Sequence, residues 1–187
     1  MRRSLSKAAG MLRLLVLTGW ASDRAVALVE FAFALPILLL LYLGGFQLFD
    51  ALACNRRVTV TARAVTDLTS QYSSVTSAQM TTILSASQQT MAPYNAANAI
   101  VTVTELYTNQ NGLTTIVWDQ ANRGTPPTPG SVYAIPPAIA VPGAYLLVGE
   151  VSYSYVPPII YGIVGPLTLH DRIYMSPRLS NAVSYAL

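Results

Sequence analysis

The stretch that decides the fold is Val26-Ala-Leu-Val-Glu-Phe-Ala-Phe-Ala-Leu-Pro-Ile-Leu-Leu-Leu-Leu-Tyr-Leu-Gly-Gly-Phe-Gln-Leu-Phe49. As a helix these 24 residues would measure about 36 Å, and the hydrocarbon core of a bilayer is about 30 Å thick. The stretch is therefore predicted to cross a membrane once. Its one acidic residue, Glu30, costs on the order of 2 to 3 kcal/mol near the bilayer centre, so it calls for a partner charge. An amine on another chain is the expected partner.

Charge divides the chain into a basic leader and a nearly neutral remainder. Residues 1 to 24 hold five basic residues and one acidic residue, whereas the rest holds six basic and seven acidic residues. Basic residues ahead of an apolar span indicate a cytoplasmic N-terminus. We predict a cytoplasmic leader over residues 1–25, a single membrane span, and an exported C-terminal domain.

Beyond Phe49 the apolar residues continue at helical spacing without a helix breaker. Leu52, Val58, Ala62 and Val65 alternate with charged side chains, which is typical of an amphipathic helix. The membrane helix is therefore predicted to extend over residues 26–71. Cys54 is expected near the membrane interface.

The remaining residues, 72–187, predict a small α+β domain. A weaker helix is expected from Ala78 to Met91, followed by strands of period two. Residues 100–107 and 113–118 predict a hairpin around Asn111-Gly112, and residues 145–155 and 170–176 predict two further strands. His170-Asp171 is expected at a solvated strand end. The intervening segment 120–143 holds six of the twelve prolines and is predicted to be a surface loop.

The chain offers little for catalysis. It has one histidine, His170, and one cysteine, Cys54, so no catalytic residue, metal ligand set or cofactor is expected. Nucleic-acid binding is rejected because few basic residues accompany the eleven tyrosines.

A more specific pattern lies around the acidic residue. Asp23-Arg24-Ala25-Val26-Ala27-Leu28-Val29-Glu30-Phe31 is followed by Leu35-Pro36 and a leucine-rich run. Over residues 23–66, this order closely resembles the TadE-like minor pilins, or pseudopilins, of the tight adherence (Tad) branch of type IV pili. The resemblance implies a pilin-like fold and a non-enzymatic role in pilus assembly and cell adhesion. The implied partners are other pilins and pseudopilins of the system.

In that family a prepilin peptidase removes the basic leader and leaves glutamate as the fifth residue of the mature chain. The resemblance therefore implies cleavage between Ala25 and Val26, with Ala25 standing where glycine is usual. Glu30 would then pair with the new amino group of a neighbouring subunit. Together with Phe31, it would set the register of assembly, and Pro36 would loosen the helix by freeing the carbonyl of Ala32.

Two other classes of protein fit parts of the sequence. The chain could be a membrane-anchored periplasmic binding or structural domain that never enters a filament. It could also be a lipoprotein modified at Cys54, although the apolar run is longer than the 7 to 15 residues, roughly, of a signal peptide.

Overall fold

The computed structural model describes residues 23–125, 127–158 and 165–186. Most of the basic leader predicted over residues 1–25 lies outside these ranges. The described helices are α1 (Asp23–Ser70) and α2 (Ser77–Gln89). The described strands are β1 (Ser74–Thr76), β2 (Ala99–Thr108), β3 (Thr114–Ala121), β4 (Tyr145–Tyr155), β5 (Leu167–Met175) and β6 (Ser184–Ala186).

Helix α1 confirms the long helix predicted from the apolar run and its amphipathic extension. It continues through Pro36 and ends at Ser70, where the Gln71 and Tyr72 amides turn back to the carbonyls of Leu68 and Thr69. Its residues belong to two compact units, the first ending at Phe46 and the second running from Gln47 to Leu187.

In the second unit, one face of α1 is buried in the core. Cys54, Val58, Ala62 and Val65 recur at spacings of three or four residues and are fully buried, as expected for one stripe of a helix. Cys54, predicted from the sequence to lie near the membrane interface, is a free cysteine that this stripe buries together with Val58 and Ala62. Its distance from a membrane stays a prediction.

Helix α2 begins at a capping box. The Thr76 hydroxyl accepts a hydrogen bond from the Gln79 amide, and the Gln79 side chain accepts one from the Thr76 amide. Together these bonds satisfy donors that the first turn would otherwise leave free. Met80, Ile83, Leu84 and Ser87 are the buried side of this helix.

The main sheet has the strand order β3-β2-β4-β5, and every neighbouring pair in it is antiparallel. The β2–β3 hairpin and strand β4 agree with the predicted strands, and Gly112 has the positive φ of 77° that its turn requires. An α+β fold with a long N-terminal helix and a small antiparallel sheet is thus confirmed.

Helix α1 and the sheet approach each other closely at Gly149. A β carbon on this residue would lie 1.9 Å from Oγ1 of Thr66 and 2.7 Å from the carbonyl oxygen of Ala62. Both distances are too short for any real side chain, so this contact requires glycine.

Strand β5 differs from the prediction because it begins three residues earlier. His170 and Asp171 therefore lie in mid-strand, opposite Ser152 and Val151 of β4, and not at a solvated strand end. The Thr59 hydroxyl of α1 donates a hydrogen bond to Oδ2 of Asp171, which joins this strand to the helix.

A second, two-stranded sheet was not predicted. Strand β6 pairs with β1 in parallel, so that Ser74 is opposite Ser184. Next to it, Nε1 of Trp118 donates a 2.6 Å hydrogen bond to the Val183 carbonyl, and the Val183 amide donates to Oε1 of Glu105. These contacts fix the C-terminal segment to the hairpin.

The proline-rich segment forms a loop between β3 and β4, as predicted, with one turn of 3₁₀ helix at Pro137–Ile139. It is not purely a surface feature. Tyr133 and Ile135 are partly buried against Leu106, Ile116 and Val148 on the side of the sheet away from α1.

Candidate assembly helix

The first part of α1 carries all five site residues predicted from the sequence. Every residue from Val26 to Tyr42 is exposed, including Glu30, Phe31 and Pro36, and Ala25 is half-buried. Exposed apolar side chains surround the helix on all sides, among them Val26 at 49% and Phe33 at 77%. The part of α1 from Val26 to Tyr42 therefore buries no apolar face, unlike the part in the second unit.

Length and composition make this helix able to cross a membrane. An 18-residue window within it has a mean hydropathy of 2.5, and none of that window is buried. A helix that is apolar all round and unburied is typical of a membrane anchor.

Glu30 lies four residues, or about one helical turn, after Val26. Within the ranges that the structure describes, its carboxylate has no salt bridge. The structure thus places Glu30 and Val26 on one face of an exposed helix, where both are accessible to another molecule.

Pro36 interrupts the hydrogen-bond ladder inside this same stretch. Because proline has no amide hydrogen, one carbonyl in the preceding turn loses its helical partner. The Gly44-Gly45 pair follows, and a β carbon on either residue would meet nothing within 4 Å.

Polar clusters outside the anchor were not recognised from the sequence. On the sheet face away from α1, Oε1 of Glu150 lies 3.1 Å from Nε2 of His170 and 3.0 Å from a guanidinium nitrogen of Arg172. The hydroxyl of Tyr133 donates to the other oxygen of Glu150 at 3.4 Å. Single-sequence periodicity gives no signal for such a cluster, because its members come from three separate segments.

Two acidic side chains are buried in the second unit. Burial raises the pKa of Glu105 to about 7 and the pKa of Asp119 to about 6. Hydrogen bonds oppose both increases, from the Val183 amide to Glu105 and from the Thr104 hydroxyl to Asp119. No described residues form a group of three or more His, Cys, Asp or Glu side chains suited to a metal ion.

The fold and the exposed helix define the class: an α+β domain that follows an apolar N-terminal helix compatible with a membrane anchor. Residues 25–67 match the family model described as TadE-like protein. The match confirms the resemblance in the N-terminal region and associates that region with the Tad pilus. No curated protein and no solved structure matches the chain.

Proposed function

We propose that the protein is a non-enzymatic pseudopilin that takes part in assembly of a Tad-type pilus through its N-terminal helix. The observation that carries the proposal is the coincidence of the TadE-like match over residues 25–67 with an exposed apolar helix bearing one carboxylate, Glu30. A carboxylate in such a helix is costly unless a charge partner compensates it.

The proposed partner is the amino group of another subunit. Cleavage by a prepilin peptidase between Ala25 and Val26 would give Val26 a free ammonium group. Pairing this group with Glu30 of a neighbouring subunit would offset the desolvation of both charges and fix the axial position of one helix against the next. Phe31, exposed beside Glu30, would pack against the neighbouring helix.

Pro36 has a separate role in this proposal. A helix that leaves a bilayer for a filament meets a new set of neighbours, and a missing backbone hydrogen bond lets it adjust locally. The exposed position of Pro36 is consistent with contact to either environment.

The proposed topology follows from the charge of the leader. The basic N-terminus is cytoplasmic, α1 crosses the inner membrane once, and the domain from about residue 72 is periplasmic or on the pilus surface. The partners are other pilins and pseudopilins of the Tad system, together with the prepilin peptidase.

Mass spectrometry of the membrane-extracted protein, from cells with and without a prepilin peptidase, tests this proposal. Loss of residues 1–25 only in cells that contain the peptidase is the expected result. An unchanged full-length mass in both strains would overturn the processing step and favour a membrane-anchored periplasmic domain that does not enter a filament.

A further inference from the structure

The two edges of the main sheet are treated differently by the fold. The β3 edge is covered by the proline-rich loop, since the Ile116 amide donates to the Ser131 carbonyl at 3.0 Å and the Gly130 amide donates to the Ile116 carbonyl at 2.7 Å. Thr115 and Val132 form an additional antiparallel bridge. The loop thus occupies outward backbone groups of β3 at Thr114 and Ile116.

The β5 edge has no such cover in the described parts of the chain, where β4 is the only strand that pairs with β5. None of the nine residues from Leu167 to Met175 is buried, whereas Leu147, Val148 and Val151 of the adjacent β4 are fully buried. An open edge of this kind can accept a further strand.

The pairing pattern shows which backbone groups face outward from β5. In antiparallel pairs, alternate residues direct their amide and carbonyl groups toward or away from the neighbouring strand. The Arg172 amide donates to Oδ1 of Asp171 at 2.8 Å, so Arg172 faces away from β4. The backbone amide and carbonyl of Tyr174, two residues further along the strand, also face away from β4. The Asp171 carboxylate accepts a hydrogen bond from the outward amide of Arg172 and not from that of Tyr174.

Two grooves flank the C-terminal end of this edge, one on each face of the sheet. The groove on the α1 side has a volume of about 480 Å³ and is lined by Val60, Arg63, Ala64, Asp67, Met175 and Arg178. The groove on the opposite side has a volume of about 340 Å³, and its lining includes Ile139, Val141, Tyr145, Tyr174 and Met175. A strand added beside β5 would direct alternate side chains into the two grooves, because successive residues of a strand point to opposite faces.

Charge distinguishes the two grooves. On the α1 side, the Asp67 carboxylate is paired with the guanidinium of Arg178, whereas Arg63 is exposed and has no salt bridge to any described residue. This groove therefore has one uncompensated positive charge beside apolar side chains.

We propose that the β5 edge from Arg172 to Met175 binds an extended polypeptide segment of another protein by strand addition. The bound segment would carry an acidic side chain opposite Arg63, with apolar side chains next to it in the strand. Backbone hydrogen bonds would supply affinity and the two grooves would supply specificity. This surface is independent of the role proposed for the N-terminal helix.

The test uses the full-length protein in detergent micelles and a fluorescein-labelled peptide of alternating valine and threonine with one central aspartate. Binding is followed by fluorescence anisotropy, and hydrogen exchange of the β5 fragment is followed by mass spectrometry. The aspartate peptide is expected to bind and to slow exchange at the Tyr174 amide. The same peptide N-methylated on the amides that face β5 is expected not to bind.

Two protein variants separate the groove from general charge attraction. R63E should weaken binding by about tenfold or more, corresponding to at least about 1.4 kcal/mol. R56E makes the same charge change at an exposed residue of α1 outside the groove, and it should leave binding unchanged. Failure of the aspartate peptide to bind, equal binding of the N-methylated peptide, or equal losses for both variants would overturn the proposal.

Discussion

The hydroxyl of Tyr155 donates a 2.6 Å hydrogen bond to Oδ2 of Asp50, 105 residues earlier in the chain. Tyr94 donates to the other carboxylate oxygen at 3.0 Å, so two tyrosines hold one carboxylate of α1. Burial, together with this carboxylate, raises the pKa of Tyr155. The end of β4 and the start of the core-forming part of α1 are thereby joined.

Removing the Tyr155 hydroxyl should destabilise the second unit. We expect Y155F to lower the free energy of unfolding by about 2 kcal/mol, since a hydrogen bond to a charged group contributes about 1.5 to 3 kcal/mol. The thermal unfolding midpoint in detergent micelles measures this effect. Y107F is the matched control, because no hydrogen bond from the Tyr107 hydroxyl is found among the described residues. If both variants lowered the unfolding midpoint equally, the prediction would be contradicted.

The close contact at Gly149 predicts a severe effect for the smallest substitution. G149A forces α1 away from the sheet, and such overpacking costs roughly 1 to 3 kcal/mol or more. Thermal unfolding should show a large decrease in the midpoint. Adding T66A should restore only part of it, because the Ala62 carbonyl oxygen remains 2.7 Å from the new β carbon. Wild-type stability of G149A would show that the helix and sheet can separate without loss.

The buried acids make stability depend on pH. Glu105 has a raised pKa of about 7 in the folded protein. At pH values between the ordinary pKa of glutamate and about 7, the unfolded chain therefore binds fewer protons than the folded protein does. Stability should therefore decrease as the pH rises from about 5 to about 8, by on the order of 3 kcal/mol for this residue. Asp119 changes stability in the same direction.

Unfolding midpoints measured at a series of pH values test this dependence. E105Q removes the titrating group and should flatten most of the decrease. A midpoint that rises with pH over this interval in the wild type would contradict the assignment.

Glu30 should be needed for assembly and not for insertion. We expect E30A to abolish surface pili while the protein stays in the membrane fraction, because loss of a carboxylate makes an apolar helix more favourable in lipid. Counting pili by electron microscopy and immunoblotting the membrane fraction separate the two effects. F33L, a conservative change at an exposed residue three positions away, is the control and should leave piliation unchanged. Normal piliation of E30A would refute a register role for Glu30.

Local patterns in the sequence predicted the elements whose residues repeat with a regular period. The length of α1, the hairpin around Gly112 and the bounds of β4 follow from such periods. The pairing of β6 with β1 could not be predicted, because three-residue strands carry no periodic signal and their partners lie far apart in the chain. Buried Glu105 was missed for a related reason, since its amide partner at Val183 comes from the C-terminal segment.

The same distinction applies to the candidate sites. Glu30 was evident because a carboxylate stands out in an apolar run. The open edge of β5 depends on which strands become neighbours and on where a loop folds back, so single-sequence reasoning placed His170-Asp171 at a strand end and overlooked the edge.

The pairing of β1 with β6 has a consequence for the order of events during synthesis. Ser73 and its hydrogen-bond partner Ser184 are 111 residues apart, and at about 10 residues per second the ribosome needs roughly 10 s to supply the second after the first. During that interval the Trp118 indole and the Glu105 carboxylate lack the Val183 groups that they bind in the finished domain. The nascent domain thus completes its fold only after Ser184 has been added, well after α1 has emerged and become available to a membrane.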